Sequence, residues 1–170
     1  MTDRVVAAAH VVVECFQRGG KLLLFGNGGS ASDAQHVAAE FVNRFVAERR
    51  ALPALALTTD TSALTSIAND RSYEEVFSRQ VEAWGRAGDV AIAISTSGNS
   101  PSVLRAVETC KARGLTTIGL TGGGGGALAP RVDLLIDVGQ TRNTARIQEI
   151  HITVGHVLCD LVDAALMGAG

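Results

Sequence analysis

The sequence predicts an α/β fold, a three-layer sandwich in which a five-stranded parallel sheet is flanked by helices. Short apolar runs alternate with longer helical patterns along the chain. The short runs lack the apolar–polar alternation of a half-exposed strand, which is typical of strands buried on both faces. No internal repeat or linker divides the chain. We therefore expect residues 1–170 to form a single domain.

The predicted elements follow one another in regular order. Strands are expected at Lys21–Phe25, Ala54–Thr58, Val90–Ser95, Thr116–Leu120 and Leu134–Val138. Helices are expected at about Arg4–Arg18, Ser30–Glu48, Ser62–Ala68, Tyr73–Trp84, Pro101–Arg113 and Arg142–Met167. Strand–helix alternation of this kind favours parallel pairing, with helices on both faces of the sheet.

Composition and charge narrow the functional classes. Apolar residues make up 46% of the chain and aromatic residues only 4%, so the core is expected to consist mainly of Ala, Val, Leu and Ile. The net charge is −2 and no basic stretch is present, which disfavours nucleic acid as a partner. No apolar run approaches the ~18 residues of a membrane span, and the first residues have no secretory pattern.

The cysteines indicate a reducing compartment. Cys15, Cys110 and Cys159 are an odd, scattered set without CxxC spacing. Such a set favours a reduced chain in the cytoplasm. Cys15 and Cys159 fall in apolar helical patterns, so we interpret them as thiols of the core.

A hydroxyl-rich loop after the third predicted strand is a candidate anion site. Residues Ser95–Ser100 carry four hydroxyl groups and Gly98, and Pro101 follows. Proline is favoured at the first position of a helix, so Ser100 is the expected N-cap. Free backbone N–H groups and the helix dipole would then face a phosphate. The alternative is a capped helix after an ordinary turn. The absence of GK[ST] excludes a nucleotide P-loop.

A glycine loop after the first predicted strand is similar. It reads Gly26-Asn27-Gly28-Gly29-Ser30, and its glycines permit close backbone approach. We expect Ser30 to cap the next helix, with Asp33 completing a capping box. The loop resembles a dinucleotide fingerprint, but it lacks the third glycine and the later acidic residue, which disfavours that function.

Four side chains form a candidate metal or acid–base site. His36 and Glu40 are four residues apart and share one helical face, which Arg44 continues. Gln148 and His156 lie eight residues apart on the last predicted helix, two turns apart in height. If the helices meet, two imidazoles, a carboxylate and an amide oxygen converge, a set that suits Zn²⁺ or a similar metal. Taken alone, the His–Glu pair is also a common surface feature.

The other two histidines are expected outside this site. His151 lies about 140° around the helical wheel from His156, which predicts a packing or interface role. His10 has no candidate partner nearby in sequence, so we interpret it as structural.

Four segments together resemble a known family. They are FGNGGSASDAQHVAAEF, IANDRSYEEVFSRQVEA, ISTSGNSPSV and RIQEIHITVGHVLCDLVD. In this order they resemble the sedoheptulose 7-phosphate isomerases, or phosphoheptose isomerases, of the sugar isomerase (SIS) domain family. The resemblance extends over residues ~5 to ~165 and thus over nearly the whole chain.

The resemblance implies a fold, a reaction and a set of site residues. It implies a five-stranded parallel SIS fold, a homotetramer with active sites across subunit contacts, and one Zn²⁺ per subunit. The reaction interconverts sedoheptulose 7-phosphate and D-glycero-D-manno-heptose 7-phosphate, towards bacterial surface sugars such as lipopolysaccharide. The catalytic pair would be Glu40 and His156, and the metal ligands His36, Glu40, Gln148 and His156. Substrate contacts would be Asn27, Gly28, Gly29, Ser30, Glu40, Asn69, Asp70, Ser95, Thr96, Ser97, Ser100 and Gln148.

Two alternatives within the family remain open. One is a non-catalytic SIS protein that binds the replication initiator. That group lacks a carboxylate at the position of Glu40, so Glu40 favours the enzyme. The other is a different sugar-phosphate-binding SIS protein, but such proteins usually have two SIS modules or a DNA-binding domain.

Overall fold

Helices and strands alternate through the whole described chain. The structure, a computed structural model, describes residues 1–167. The helices are α1 (Thr2–Gln17), α2 (Gly29–Val42), α3 (Thr61–Asp70), α4 (Ser78–Trp84), α5 (Pro101–Ala112) and α6 (Thr144–Met167). The strands are β1 (Leu22–Gly26), β2 (Ala54–Ala56), β3 (Val90–Ser95), β4 (Thr116–Gly122) and β5 (Leu134–Val138). Short 3-10 helices lie at Tyr73–Glu75 and Gly126–Arg131.

The five strands form one parallel sheet in the order β2-β1-β3-β4-β5. Leu22 of β1 pairs in register with Ala54 of β2 and with Val90 of β3. The chain runs outward from β1 in one direction to β2 and in the other to β3, β4 and β5. In open α/β sheets, ligands bind where the strand order reverses in this way, beyond the carboxyl ends of the strands. Here that point lies between β1 and β3.

Two apolar cores cover the two faces of the sheet. Leu22 and Leu24 face the core formed with α1, α2 and α6. Leu23 and Phe25 face the core formed with α4 and α5. Because successive side chains of a strand point to opposite faces, a continuous apolar run such as β1 fills both cores at once. The predicted three-layer arrangement is confirmed.

The edge strands differ from the prediction of burial on both faces. Leu55 of β2 is 37% exposed, and three of the five residues of β5 are only partly buried by the sheet and its helices. A strand at the edge has a partner on one side only, so its burial is incomplete. Strand β2 is also shorter than predicted and ends at Ala56.

Helix α2 ends at Val42, six residues before the predicted end at Glu48. The guanidinium of Arg49 donates to the carbonyl oxygens of Glu40 and Phe41, at 2.8 Å each. These bonds satisfy carbonyl groups that a continuing helix would use, so the chain turns back here. Arg44, which we expected to extend the His36–Glu40 line, lies beyond the helix and pairs with Glu48.

The predicted capping box at the start of α2 is wrong. Ser30 lies inside the helix and is buried, and Gly28 is the N-cap with φ +59°. A left-handed glycine at this position starts the helix two residues earlier than the box requires. The predicted helix Tyr73–Trp84 is likewise divided into the 3-10 turn Tyr73–Glu75 and α4.

Helix α6 has 24 residues, and an 18-residue window of it has a mean hydropathy of 1.5, so by length and composition alone it could span a membrane. Polar residues interrupt α6, so no continuous apolar run in the sequence indicates this property. A core helix meets the same criteria, however, and α6 packs against α1 and α2 through residues that include Ile147, Val154 and Leu158. We therefore assign α6 to the core of the fold.

Candidate active site

His36, Glu40 and His156 lie together where α2 meets α6. The Nε2 atoms of the two histidines are 2.9 Å apart. His36 Nε2 is also 3.3 Å from Glu40 Oε1. The His36 side chain is 48% exposed and the Glu40 side chain 24% exposed, so the cluster is open to solvent on one side. The predicted convergence of these three side chains is confirmed.

The segment after α2 closes one side of this cluster. The ring of Phe45 stacks on His156, with centroids 5.2 Å apart and an angle of 30° between the planes. Arg49 forms a buried ion pair with Asp163 of α6 and also binds the carbonyl of Glu40. This pair ties the end of α2 to α6, so it fixes the relative position of the two helices that carry the cluster. The sequence analysis identified neither Phe45 nor Arg49.

Gln148 of α6 lies beside the glycine loop, next to Gly29 at the start of α2. A Cβ atom added at Gly29 would overlap the side-chain amide of Gln148. Gly29 therefore leaves the space in which Gln148 sits. The structure places Gln148 against the start of α2, and no hydrogen bond joins its side chain to His36 or His156 among the described residues. Of the four predicted metal ligands, three converge and the fourth lies against the same helix.

The donor types at this cluster fit a zinc ion. An ion with Zn–N bonds of about 2.0–2.1 Å would hold two nitrogens about 3.3 Å apart in a tetrahedron. The rings of His36 and His156 would therefore have to separate by only a few tenths of an ångström. Within residues 1–167, no group of three or more His, Cys, Asp or Glu side chains already has the arrangement of a metal site.

Asp33 is a further acidic group near His36 that the sequence analysis considered only as a cap. Its Oδ2 atom is buried and has no hydrogen-bond partner among the described residues. Burial raises the pKa of this carboxyl, and the nearby His36 partly opposes the rise. Asp33 lies one turn before His36 on α2, which is a spacing that helical periodicity could have revealed.

The hydroxyl-rich loop follows β3 and crosses the switch point of the sheet. Ser95 is buried at the end of the strand, Thr96 is half-buried and Ser97 is exposed. Ser100 is the N-cap of α5 and Pro101 is the first residue, as predicted. The side chain of Ser100 makes no capping bond, so its hydroxyl is available for other contacts.

The glycine-rich segment after β4 supports this loop. Gly98 has φ +65°, and a Cβ atom there would overlap the backbone of Gly125. Asn99 Oδ1 accepts a hydrogen bond from Ala127 N at 2.9 Å, and Gly98 O accepts one from Leu128 N. Gly98 is therefore required both by its φ angle and by close packing.

A cavity of about 240 Å³ opens beside the hydroxyl-rich loop. Thr96 and Ser97 line one side of it, and Gly122, Gly123 and Arg142 line the other. Arg142 is the only charged residue that lines this cavity in the described part of the chain. The sequence analysis did not identify Arg142, because it lies outside the motifs and no spacing distinguishes it.

Asn27 connects the two loops. Its amide nitrogen donates to Ser100 Oγ at 2.7 Å and to Ser102 Oγ at 3.0 Å. Its amide oxygen accepts from the hydroxyl of Tyr73 at 2.8 Å. These bonds join the glycine loop after β1 to the hydroxyl-rich loop after β3.

Asn69 and Asp70 lie apart from this network at the end of α3. Both are exposed, and Asn69 Nδ2 donates to Asp70 Oδ1 at 2.8 Å. Their side chains bond to each other rather than to the two loops. Their role as substrate contacts stays a prediction.

The remaining candidate groups lie outside the site. His151 is buried, and its Nε2–H donates to the carbonyl oxygen of Thr121 at 3.0 Å, which confirms a packing role. The three cysteines are buried and free. Burial raises the pKa of Cys15 to about 11 and those of Cys110 and Cys159 to about 12, so none is a reactive thiolate at neutral pH.

Proteins of known structure and name are similar to this chain over most of its length. Residues 1–122 match the family model of the SIS domain. The phosphoheptose isomerase of Roseiflexus sp. is 61% identical over 162 residues, which are 95% of this chain and 82% of that protein. The phosphoheptose isomerase of Desulfovibrio desulfuricans is 62% identical over 152 residues, 89% of this chain and 72% of that protein.

Two solved structures are similar at the level of the whole fold. The phosphoheptose isomerase GmhA from Neisseria gonorrhoeae superposes with a TM-score of 0.89 and 48% identity, covering 95% of this chain and 86% of that chain. A phosphoheptose isomerase from Francisella tularensis superposes with a TM-score of 0.91 and 40% identity, covering 95% and 85%.

Proposed function

Because this chain belongs to the phosphoheptose isomerases of the SIS domain family, we propose that it interconverts sedoheptulose 7-phosphate and D-glycero-D-manno-heptose 7-phosphate. The observation that carries the proposal is the meeting of Glu40, His36 and His156 between α2 and α6, in a chain whose hydroxyl-rich loop precedes α5. One group of side chains can move protons, and the other can hold a phosphate.

Glu40 is the proposed base. An aldose–ketose isomerisation moves a proton between C1 and C2 through a cis-enediol, so it needs a group that takes a carbon-bound proton from one carbon and returns it to the other. Glu40 is partly shielded from solvent, next to His36 and His156. Exclusion of water by a bound sugar would strengthen the carboxylate as a base.

His156 is proposed to exchange protons with the O1 and O2 hydroxyls. An imidazole can hold a proton on one nitrogen and accept one on the other, which suits exchange between two neighbouring oxygens. Stacking on Phe45 fixes the plane of the His156 ring. The ring therefore keeps one orientation while the sugar is bound.

The loop Ser95–Ser100 is proposed to hold the substrate phosphate. Its hydroxyl groups and the N-terminus of α5 can donate to phosphate oxygens. Arg142 lines the adjoining cavity and can add a positive charge. Binding energy at the phosphate would hold C1 and C2 of a seven-carbon sugar at Glu40.

His36, Glu40, Gln148 and His156 are proposed to hold a zinc ion or a similar divalent metal. When bound, the metal would polarise the substrate carbonyl as a Lewis acid. Glu40 has two carboxylate oxygens, so one can contact the metal while the other accepts a proton. A His156 nitrogen that binds the metal cannot accept a proton, so proton exchange at that nitrogen belongs to the metal-free state. The donor types support this assignment.

We also propose an oligomeric state, a cellular compartment and a metabolic role for the enzyme. We expect a cytoplasmic homotetramer whose active sites lie across subunit contacts and whose product enters the synthesis of bacterial surface sugars. The exposed apolar side chains of Met1, Val6 and Val157, which border a groove between α1 and α6, support burial in such an assembly.

One assay tests the reaction. The purified protein is incubated with sedoheptulose 7-phosphate, and the aldose is detected in the presence of zinc, of a chelator, and of zinc added back after chelation. We expect aldose formation, loss of activity with the chelator and recovery with zinc. No aldose under any of these conditions would contradict the proposed function. Activity that the chelator leaves unchanged would contradict only the metal.

A further inference from the structure

Tyr73 is joined to the hydroxyl-rich loop through one asparagine. Its hydroxyl donates to Asn27 Oδ1 at 2.8 Å. The nitrogen of the same amide donates to Ser100 Oγ at 2.7 Å and to Ser102 Oγ at 3.0 Å. Three separate segments thus meet at a single side chain, the 3-10 turn after α3, the glycine loop and the start of α5.

The amide of Asn27 has a direction, with its oxygen towards Tyr73 and its nitrogen towards Ser100 and Ser102. A carboxamide accepts at its oxygen and donates at its nitrogen. A hydroxyl that donates to the oxygen therefore keeps the nitrogen turned towards Ser100 and Ser102. In the reverse orientation, the amide oxygen would accept hydrogen bonds from the hydroxyl groups of Ser100 and Ser102 instead.

This direction decides what Ser100 can offer a ligand. Ser100 Oγ accepts from Asn27, and Ser102 Oγ lies 3.4 Å away and is buried. Ser102 can donate to Ser100, whereas Ser100 makes no bond to the helix that it caps. The proton of Ser100 is then free to point out of the loop.

We propose that Tyr73 is a positioning residue for the phosphate site. By donating to Asn27 Oδ1, it keeps the amide in the orientation that leaves the hydroxyl proton of Ser100 for a phosphate oxygen of the substrate. This inference rests on the proposed function, because it assigns a phosphate to the Ser95–Ser100 loop.

The ring of Tyr73 contributes little packing of its own. Tyr73 is 59% exposed. The turn that carries it is held by Glu75, which pairs with Arg71 at 3.3 Å and with Arg105 of α5 at 3.1 Å. The turn therefore keeps its place on α5 without the Tyr73 hydroxyl, and the hydroxyl can be removed without loss of the fold.

The first test compares Tyr73→Phe with Tyr73→Leu. Binding of inorganic phosphate is measured by calorimetry, and KM and kcat are measured with sedoheptulose 7-phosphate. We expect Tyr73→Phe to weaken phosphate binding and raise KM about fivefold, the scale of one hydrogen bond, with kcat nearly unchanged. If only the ring mattered, Tyr73→Phe would match the wild type and Tyr73→Leu alone would differ, which would overturn the inference.

The second test is a double-mutant cycle on phosphate binding. Tyr73→Phe is combined with Ser100→Ala, and separately with Ser97→Ala, because Ser97 makes no hydrogen bond to Asn27 among the described residues. We expect Tyr73→Phe to have almost no further effect in the Ser100→Ala protein and its full effect in the Ser97→Ala protein. Equal effects in both backgrounds would mean that Tyr73 does not act through Ser100.

Phosphate binding separates this inference from the proposed function. If the wild-type protein binds inorganic phosphate but does not isomerise the heptose phosphate, only the proposed function fails, and the cycle still tests Tyr73. If the wild-type protein does not bind phosphate, the inference about Tyr73 is overturned.

Discussion

The Nε2 atoms of His36 and His156 lie 2.9 Å apart, although 120 positions separate the two residues in the chain. Each comes from a helix on the same face of the sheet, and Arg49 joins those helices close to the contact. Two imidazoles at hydrogen-bond distance can share only one proton between them at a time. The pair therefore suits a group that binds a metal or relays a proton.

Glu40→Gln is expected to lower kcat at least ~100-fold, the usual scale for loss of a general base, with little change in KM. The amide keeps the shape of the side chain but cannot accept a proton from carbon. Steady-state kinetics with sedoheptulose 7-phosphate measure this. Glu48→Gln is the matched control, because Glu48 is 87% exposed and, within residues 1–167, its one ion pair is with Arg44. Near-normal turnover of Glu40→Gln would refute its role as the base.

Ser97→Ala and Ser100→Ala are expected to raise KM severalfold each and to leave kcat close to that of the wild type. Each removes one donor from the proposed phosphate site, which is worth about 1 kcal/mol. Ser66→Ala is a suitable control, since its hydroxyl bonds only within α3. A fall in kcat with unchanged KM would mean that the phosphate site has been assigned wrongly.

Gly29→Ala is expected to reduce activity more than stability. The new methyl group would occupy the place of the Gln148 amide, and that flexible side chain would have to move away. The backbone of Gly29 is not left-handed, so alanine itself is tolerated there. Thermal unfolding and kinetics on the same variant check the prediction. A loss of stability without loss of activity would show that the position of Gln148 does not matter for turnover.

The stability of the fold is expected to decrease as the pH falls below about 6.5, the ordinary pKa of histidine, because of His151. Burial lowers the pKa of His151, and its Nδ1 atom has no partner among the described residues. The unfolded chain therefore binds a proton at a pH where the folded chain does not, and folding free energy is lost as the pH decreases.

Chemical denaturation at several pH values measures this effect. The variant His151→Gln has no titrating group at this position, so its unfolding free energy should depend less on pH in the same window. An identical pH dependence in the variant and the wild type would show that other groups cause the change.

The buried elements could be predicted from the sequence, and the ends of elements set by distant contacts could not. Strand β3 has the predicted bounds, because its apolar run is continuous and is followed by polar residues. Strand β5 also has the predicted bounds, although Asp137 interrupts its apolar run. The predicted end of α2 was wrong, because the end depends on the ion pair between Arg49 and Asp163. These two residues are 114 positions apart in the sequence. No local pattern contains that contact.

The same distinction applies to the site. His36 and Glu40 could be paired from helical spacing, and the cap at Ser100 from the proline that follows it. The proximity of His36 to His156 could be predicted only from the family resemblance, or else seen in the folded structure. Phe45 and Tyr73 act through contacts that neither spacing nor residue type reveals.

The position of α6 after all five strands has a consequence during synthesis on the ribosome. All five strands precede Thr144, so a nascent chain can complete its sheet while His156 is still inside the exit tunnel. Until α6 docks, the apolar side chains of α1 and α2 lack their partner and remain open to chaperones or to other chains. Folding of the protein is therefore completed late, when the single helix α6 docks on α1 and α2.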